Sequence, residues 1–188
     1  MGLLQASSQW RSGKGFRRAR LGYHSGVDEA AETRWLDADE RAAWISLVGL
    51  LMRLGPVLDA QLRRDAGLTL FEYSVLAGLS EQPGRTMRMS ELAAVAEGSL
   101  SRLSQVVARL ERKGFVRRAV DPTDGRYTLA TLTEPGWDVV VATAPGHVAE
   151  VRRLVLDPLS RAQVKQLGAI GRRIGLAIDP GGECTPPS

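Results

Sequence analysis

The sequence contains one cysteine, two histidines and few aromatic residues, and each scarcity excludes a class of site. A single cysteine, Cys184, cannot form a disulfide within the chain. With only His24 and His147 as additional ligands, we expect no structural zinc and no other bound metal. Cys184 stands in a tail rich in glycine and proline without nearby cations, so we interpret it as an incidental surface thiol.

Long apolar stretches and catalytic motifs are also missing. No uninterrupted run of 18 or more apolar residues occurs, which predicts no membrane span and no membrane partner. The basic N-terminus lacks the apolar segment of a secretory signal, so a cytoplasmic location is expected. Because there is no Ser/His/Asp arrangement, no glycine-rich phosphate loop and no metal-ligand cluster, we predict that the chain is not an enzyme and has no cofactor.

Positive charge is present but unevenly distributed. The net charge is only +4 over 188 residues, yet residues 1–20 carry five basic side chains and no acidic one. Residues 85–126 carry nine basic and five acidic side chains, so the rest of the chain is net acidic. Charge concentrated in one central segment is compatible with an anionic partner.

Hydrophobic periodicity and turn signals divide the chain into five segments. They are a mostly disordered basic arm (1–34), a first long helix (35–64), a compact unit of short helices and a hairpin (65–132), C-terminal helices (133–178) and a flexible tail (179–188). Capping-box spacing opens the first helix at Asp37-x-x-Glu40, and Gly55-Pro56 is expected to kink or split it. The predicted fold is mainly α with a small β-hairpin.

The segment 65–132 has the order of a winged helix-turn-helix. After a helix opened by Thr69, a short helix is expected over Glu91–Ala96, with Ser90 as its cap and Gly98 at its end. A second helix is expected to run from Ser99, its cap, to Lys113. Two β-prone stretches then flank a turn and predict the hairpin, which we call the wing: Phe115–Val120 and Tyr127–Leu132.

The helix after Ser99 has an outer face typical of helices that enter the DNA major groove. At 100° per residue, its apolar side chains fall on one face and are expected to pack on the core: Leu100, Leu103, Val107 and Leu110. The outer residues are small, polar or cationic: Ser99, Ser101, Arg102, Ser104, Gln105, Ala108 and Arg109. Arginine can pair with guanine and glutamine with adenine, and the alternative is an ordinary solvated face.

The tip of the wing has two interpretations. Asp124-Gly125 is a preferred turn dipeptide, so both residues are expected to shape the wing. Arg126 is not required by any turn, and an arginine on a wing is suited to a narrow minor groove. Asp124 is expected to orient that guanidinium. Arg88, at the start of the same basic segment, is also assigned to DNA contact.

Several motifs together resemble the MarR family of bacterial transcription regulators. They are ELAAVAEGSLSRLSQVVARLERKGFVRR from Glu91 to Arg118, DPTDGR from Asp121 to Arg126, LTEPG from Leu132 and PLSRAQ around Ser160. The resemblance covers about Asp37 to Ile178. It implies a repressor of the winged helix-turn-helix class that binds double-stranded DNA.

The resemblance assigns roles to matched positions. It implies that one set of side chains faces the major groove: Ser99, Ser101, Arg102, Ser104 and Gln105. It implies that Arg126 enters the minor groove while Asp124 holds the wing. Gln105 stands where the family commonly has arginine and Ala108 where it commonly has aspartate, so we expect a base preference different from the family's commonest one.

The long helices outside the winged unit predict a homodimer. Their apolar stripes, over Trp44–Leu62, Val139–Leu156 and Val164–Ile178, would expose large patches on a monomer unless they packed on one another within one chain. The resemblance implies that the first and last helices interlock with a second copy. A twofold dimer would place two recognition helices about 34–36 Å apart on a pseudo-palindromic site.

The resemblance also implies a small aromatic or anionic effector, bound between the dimer helices and the winged unit. Trp44, Arg53 and His147 are the candidate pocket residues. Some relatives sense oxidants through a cysteine near the first long helix, which this chain lacks. The predicted function is therefore a ligand-responsive repressor, located in the cytoplasm and associated with the nucleoid when bound to DNA.

Other functions remain open at this point. A winged-helix module that binds protein predicts an acidic or apolar outer face over Ser99–Arg109, and the sequence shows neither. Binding of single-stranded RNA predicts stacking aromatic residues in the basic segment, which are missing. An activator without a small-molecule effector is the other alternative.

Overall fold

The computed structural model describes residues 33–96 and 98–179. The predicted arm and tail therefore lie almost entirely outside the described residues, as do His24 and Cys184. The chain divides into two compact units, residues 1–40 and 41–188. In the first unit, the Asp37 carboxylate accepts hydrogen bonds from the backbone N–H groups of Asp39 and Glu40, and Glu40 accepts one from the N–H of Asp37, so the predicted capping box is confirmed.

The described chain is mainly helical with one small sheet, and the predicted winged helix-turn-helix class is confirmed. The helices are α1 (Ala38–Ala66), α2 (Leu70–Ser80), α3 (Met89–Val95), α4 (Leu100–Arg112), α5 (Glu134–Val151) and α6 (Arg161–Ile178), and the strands are β1 (Thr86–Arg88), β2 (Val116–Val120) and β3 (Thr128–Leu132). A 3₁₀ turn over Pro83–Arg85 precedes β1, and a π-helical segment over Arg152–Leu156 follows α5.

The sheet is antiparallel with the strand order β1-β3-β2. The predicted hairpin corresponds to β2 and β3. Strand β1 was not predicted, because three residues are too few to show the alternation by which a strand is recognised in sequence. The new strand matters because it joins the helix-turn-helix directly to the wing through β3.

Most predicted helix caps are confirmed, and Ser90 is the exception. The Thr69 and Ser160 boxes form, and the hydroxyls of Ser99 and Thr133 accept N–H bonds from the first turns of α4 and α5. Ser90 is not the cap of α3, because β1 delivers the chain in an extended conformation at Arg88 and the helix begins at Met89. That helix ends at Val95, one residue before the predicted Ala96.

Helix α1 continues through Pro56, so the predicted split at Gly55-Pro56 is wrong. Proline removes one backbone hydrogen bond and crowds the preceding turn. The C-terminal turns of α1 are nevertheless held in place, because Leu58, Gln61 and Leu62 are buried. Tertiary packing therefore overrides the local signal.

One hydrophobic core holds the winged unit together. Its largest fully buried side chains come from α1, the connection between α1 and α2, α2, α3, α4 and β2: Leu62, Leu68, Val75, Leu76, Leu79, Leu92, Leu103, Val107, Leu110 and Val116. Helix α5 closes the base of the wing at Gly136, where an added Cβ would lie only 2.2 Å from the Phe115 carbonyl oxygen. Only glycine fits at that approach.

Apolar side chains remain exposed on the long helices. Within the described range of α6, Arg161–Ile178, no residue is buried. The exposed large side chains of residues 41–178 on α1, α5 and α6 are Trp44, Ile45, Leu50, Leu51, Met52, Val57, Val141, Val148, Leu167, Ile170, Ile174, Leu176 and Ile178. The alternative that these stripes cover one another within one chain is therefore wrong.

By length and composition alone, α1 is also apolar enough to cross a membrane, which the lack of an uninterrupted apolar run did not predict. Its last turns, however, are buried in the protein core through Leu58 and Leu62. Between Arg41 and Arg53 it has 11 uncharged residues, and at 1.5 Å per residue they span about half of a bilayer's hydrocarbon core.

Candidate nucleic-acid interface

Helix α4 is fixed on the core by one face. The buried residues are Leu103, Val106, Val107 and Leu110, and the helix is closed by Gly114 at φ +76°. Val106 was missed and Leu100 was wrongly assigned to the core, since its side chain is 52% exposed. Leu100 is the first residue of α4, so we interpret its exposure as the result of the helix starting beyond the edge of the core.

One flank of α4 faces α2 and carries Arg102 and Arg109, with Lys113 at the end of the helix. The guanidinium carbon of Arg102 lies 4.2 Å from the centroid of the Phe71 ring. Arg109 Nε lies 3.4 Å and Lys113 Nζ 3.9 Å from Glu72 Oε1. Two residues predicted to contact DNA, Arg102 and Arg109, thus also have partners within the chain.

The Glu72 carboxylate joins the N-terminus of α2 to this flank. Its side chain is only 6% exposed, and it accepts the Thr69 N–H at 2.9 Å as well as the Arg109 contact. Burial acts to raise the pKa of Glu72, but the Thr69 hydrogen bonds and the charges of Lys113 and Arg109 outweigh it and hold the pKa below its ordinary value. Glu72 therefore remains ionised and fixes the orientation of α4.

The outermost face of α4 carries Ser101 and Gln105, both exposed. The opposite flank faces the wing, where Leu100, Ser104, Arg118 and Arg126 line a hollow of about 250 Å³. The Ser99 hydroxyl accepts the Arg102 N–H at 3.2 Å, so it serves as the cap of α4. The residues predicted to face the DNA major groove thus lie on three different sides of α4.

The tip of the wing presents a clamped guanidinium. Arg126 Nε donates to Asp124 Oδ1 at 2.9 Å and Arg126 Nη2 donates to Asp124 Oδ2 at 2.6 Å, so the expectation that Asp124 orients Arg126 is confirmed. The Arg126 side chain is nevertheless 82% exposed. Its hydrogen bonds lower the pKa of Asp124 below the ordinary value, which keeps the clamp ionised. Gly125 does not have a left-handed φ, so the loop does not require glycine there for that reason.

A second arginine holds the base of the wing. Arg88 Nε donates to Asp121 Oδ2 at 3.1 Å, and the Arg88 guanidinium carbon lies 4.2 Å from the centroid of the Tyr127 ring. The hydroxyl and N–H of Thr123 also bond Asp121 and, together with Arg88, lower the pKa of Asp121 to about 2. Arg88, predicted to contact DNA, thus has a structural role that its position in the sequence did not reveal.

The three candidate effector residues are not brought together. Trp44 is exposed on α1, Arg53 donates to the Gly49 carbonyl at 2.9 Å, and His147 Nδ1 lies 3.0 Å from Gln61 Oε1. Burial lowers the pKa of His147. The structure instead has a groove of about 810 Å³ lined by parts of α1, α2, α3 and α4. Trp44, Arg53 and His147, all within the described residues, lie outside its lining.

Sequence reasoning missed the supporting residues of this interface. Phe71 and Glu72 position cations of α4 from 31 and 37 residues away. The capping box predicted that Glu72 lies at a helix start, but no pattern in the neighbouring sequence indicated that Glu72 also contacts Arg109 and Lys113. The exposed position of Leu100 was also missed, although its place directly after the Ser99 cap was a usable signal.

This arrangement of an exposed polar helix and an arginine-tipped wing defines a DNA-binding transcription regulator of the winged helix-turn-helix class. The MarR family model matches residues 66–126. Sco3205, a MarR family transcriptional regulator from Streptomyces coelicolor, has been solved in complex with DNA. Its sequence is 45% identical to this chain, and its structure superimposes with a TM-score of 0.77, covering 80% of this chain and 94% of Sco3205. The chain belongs to the MarR family.

Two further relatives are informative. The HTH-type transcriptional regulator YdcH of Bacillus subtilis is 39% identical over 62 residues, which cover 33% of this chain and only 42% of YdcH. CouR from Rhodococcus jostii RHA1, solved bound to p-coumaroyl-CoA, is 26% identical with a TM-score of 0.60, covering 73% of this chain and 92% of CouR. Sco3205 and YdcH are both transcriptional regulators.

Proposed function

We propose that the chain is a homodimeric, ligand-responsive repressor that binds a pseudo-palindromic operator in double-stranded DNA. The observation that best supports DNA binding is the exposed face of Ser101 and Gln105, together with the Arg126 guanidinium that Asp124 holds in place. A helix and a wing arranged in this way are suited to reading one major groove and the adjoining minor groove. The DNA-bound structure of Sco3205 supports the same use of the fold. We also propose that the protein acts in the cytoplasm, on the nucleoid.

The proposed interface separates base reading from positioning. Ser101, Gln105 and Ser104 are proposed to reach base edges in the major groove, and Arg126 the minor groove. Arg102, Arg109 and Arg88 each have an internal partner, and we assign them to phosphate contacts that their partners orient. Ser99 is proposed to direct the amino end of α4 toward the DNA backbone.

Replacing Gln105 by alanine will relax base preference at one position of each half-site. The amide of Gln105 is exposed on the outermost face of α4, and a bidentate amide contact discriminates by about 5- to 100-fold against the wrong base. Selection of random duplexes by the wild type and by Gln105→Ala will show the difference as one degenerate position. Identical selected sequences would contradict the role of Gln105, and failure of the wild type to enrich any duplex would contradict the proposed function.

The homodimer is supported by the unpartnered apolar surface of α1, α5 and α6. Leu167, Ile170 and Ile174 follow one stripe of α6 and are all exposed. Exposed apolar surface of this extent is typical of a chain that folds with a partner. A second copy is favoured because a pseudo-palindromic operator requires two recognition helices in twofold register.

The effector site is proposed to be the groove of about 810 Å³ rather than the predicted set of Trp44, Arg53 and His147. Its volume is within the range for small-molecule sites. Phe71, Arg63 and Arg102 line it, as does Asp59, which pairs with Arg63. Because Arg109 also lines the groove, its cations outnumber its carboxylates, which suits an aromatic anion. Because Arg102 and Gln105 of α4 share the lining, a ligand there would shift side chains that are proposed to contact DNA.

A larger side chain at Gly55 is expected to fill part of this groove and to weaken the release of DNA by the ligand. A Cβ added at Gly55 meets no atom within 4 Å, so Gly55→Leu should be accommodated while occupying groove volume. Titration with benzoate and 4-hydroxycinnamate is expected to release wild-type protein from its selected duplex, and Gly55→Leu will need about tenfold more ligand, the effect of losing one good apolar contact. Equal release curves for the two proteins would contradict the assignment of the groove.

A further inference from the structure

Leu100 is an apolar side chain in an unexpected place. It is the first residue of α4, and its side chain is 52% exposed, whereas the apolar residues that follow it at Leu103, Val107 and Leu110 are fully buried. Exposure alone has little meaning, because single leucines are common on protein surfaces. The neighbours of Leu100 give the exposure its significance.

Those neighbours belong to the proposed DNA-reading surface. Leu100 lines the hollow of about 250 Å³ together with Ser104, one turn further along α4, and with Arg126 and Tyr127 of the wing. It thus lies between the outer face of the helix and the Arg126 clamp. Residues in the first turns of a recognition helix are the ones that reach base edges in helix-turn-helix proteins.

The major groove offers one apolar feature to such a side chain. Adenine, guanine and cytosine present hydrogen-bond donors and acceptors there, and only thymine adds a methyl group at C5. Besides Met89 and Tyr127, the residues that line the hollow around Leu100 are polar or cationic: Ser90, Ser104, Arg118, Arg126 and Thr128. This chemistry fits the edge of a duplex better than an apolar protein surface.

We infer that Leu100 is a specificity-determining residue that contacts the 5-methyl group of one thymine in each half-site. The inference rests on the proposed DNA-binding function and adds to it a base, an atom and a residue. Contact with a thymine methyl group would explain why Leu100 is exposed at the start of a helix whose other outward residues are small, polar or cationic.

The test replaces thymine by deoxyuridine, which lacks only the 5-methyl group. The duplex is the one that the wild-type chain enriches from a random pool, and each thymine is replaced in turn. Loss of one buried methyl group weakens binding about fourfold per half-site, so the wild type is expected to bind the doubly substituted duplex about 16-fold less tightly at one symmetric pair of positions. Leu100→Ala is expected to bind the thymine and uracil duplexes equally.

Two variants serve as controls for this experiment. Leu100→Met keeps an apolar side chain of similar volume and is expected to retain most of the discrimination between thymine and uracil. Val120→Ala shortens another exposed apolar side chain, on β2 outside the lining of the hollow, and is expected to retain all of it. Thermal unfolding of each variant confirms that the fold is intact.

The outcomes separate this inference from the proposed function. Discrimination that persists unchanged in Leu100→Ala would overturn the inference, as would a wild type that is insensitive to the methyl group at every thymine. Failure of the wild type to enrich any duplex would instead overturn the DNA-binding proposal on which the inference rests. Loss of discrimination in Leu100→Ala with retention in both controls supports it.

Discussion

Replacing Ile170 and Ile174 by glutamate is expected to convert the proposed dimer into a monomer and to reduce operator affinity by at least about 100-fold, because the second half-site no longer adds to binding. Both isoleucines are exposed on one stripe of α6, a helix without any buried residue in its described range Arg161–Ile178. In a twofold interface each occurs twice, and each buried isoleucine contributes roughly 1.5–3 kcal/mol. Burying four carboxylates in their place adds a further penalty.

The matched control for this substitution uses another side of the same helix. Ala162 and Ala169 lie about 100–120° from the midpoint of the two isoleucines at 100° per residue, and both are exposed. Ala162→Glu with Ala169→Glu adds the same charge without entering the proposed interface. Light scattering at micromolar concentration should show a dimer for the wild type and the control, and a monomer for the isoleucine variant.

The monomeric variant is expected to remain folded, since neither isoleucine is buried within one chain. Circular dichroism and thermal unfolding will check this independently of DNA binding. A wild type that is monomeric by light scattering would contradict the dimer, and with it the pseudo-palindromic operator. A dimer that persists in the glutamate variant would show that α6 is outside the interface.

Replacing Arg126 by alanine will weaken operator binding about 10- to 100-fold, the usual effect of losing one arginine contact to a base or a narrow groove. The guanidinium is exposed and is held by two charge-assisted hydrogen bonds that it donates to Asp124. A fixed guanidinium needs little further ordering when it binds, so most of its contact energy appears as affinity. Asp124→Asn should give a smaller loss, because the guanidinium is then present but less well oriented.

Arg153 provides a matched control for Arg126. Its guanidinium is clamped by Glu150 in the same bidentate manner, with Nε–Oε2 and Nη2–Oε1 distances of 2.9 and 2.7 Å, but it lies beyond α5 rather than on the wing. Arg153→Ala removes the same charge and the same kind of ion pair. Gel-shift titrations in one buffer should therefore separate Arg126→Ala from both Arg153→Ala and the wild type. Equal affinities of all three would rule out a role for the wing tip.

The sequence predicted those features whose causes are local. Caps at Thr69, Ser99 and Ser160 form because a side-chain oxygen meets an N–H group three residues away. The Asp124–Arg126 clamp joins residues only two positions apart and was predicted for the same reason. The apolar stripes of the long helices were predicted because helical periodicity requires no knowledge of what covers them.

Features built from distant residues were not predictable in this way. Arg88 and Asp121 are 33 residues apart, and Arg109 and Glu72 are 37 apart, so no local pattern indicates that either pair forms. The missed strand β1 is stabilised by pairing with β3, more than 40 residues later. Leu100 fits the apolar period of α4, but periodicity does not reveal where a helix extends past the core that it packs on. The groove of about 810 Å³ likewise depends on how four helices meet.

The clamp at the wing tip has a consequence for the time course of recognition. A guanidinium whose charge is offset by a carboxylate 2.6 Å away produces little electric field at distances beyond the Debye length. Arg126 therefore adds little to the attraction that brings the protein to DNA, which the unpaired cations must supply. In the proposed complex, its contribution begins after contact, when the walls of the minor groove replace the water around it. We therefore expect the wing to set how long the complex lasts rather than how quickly it forms.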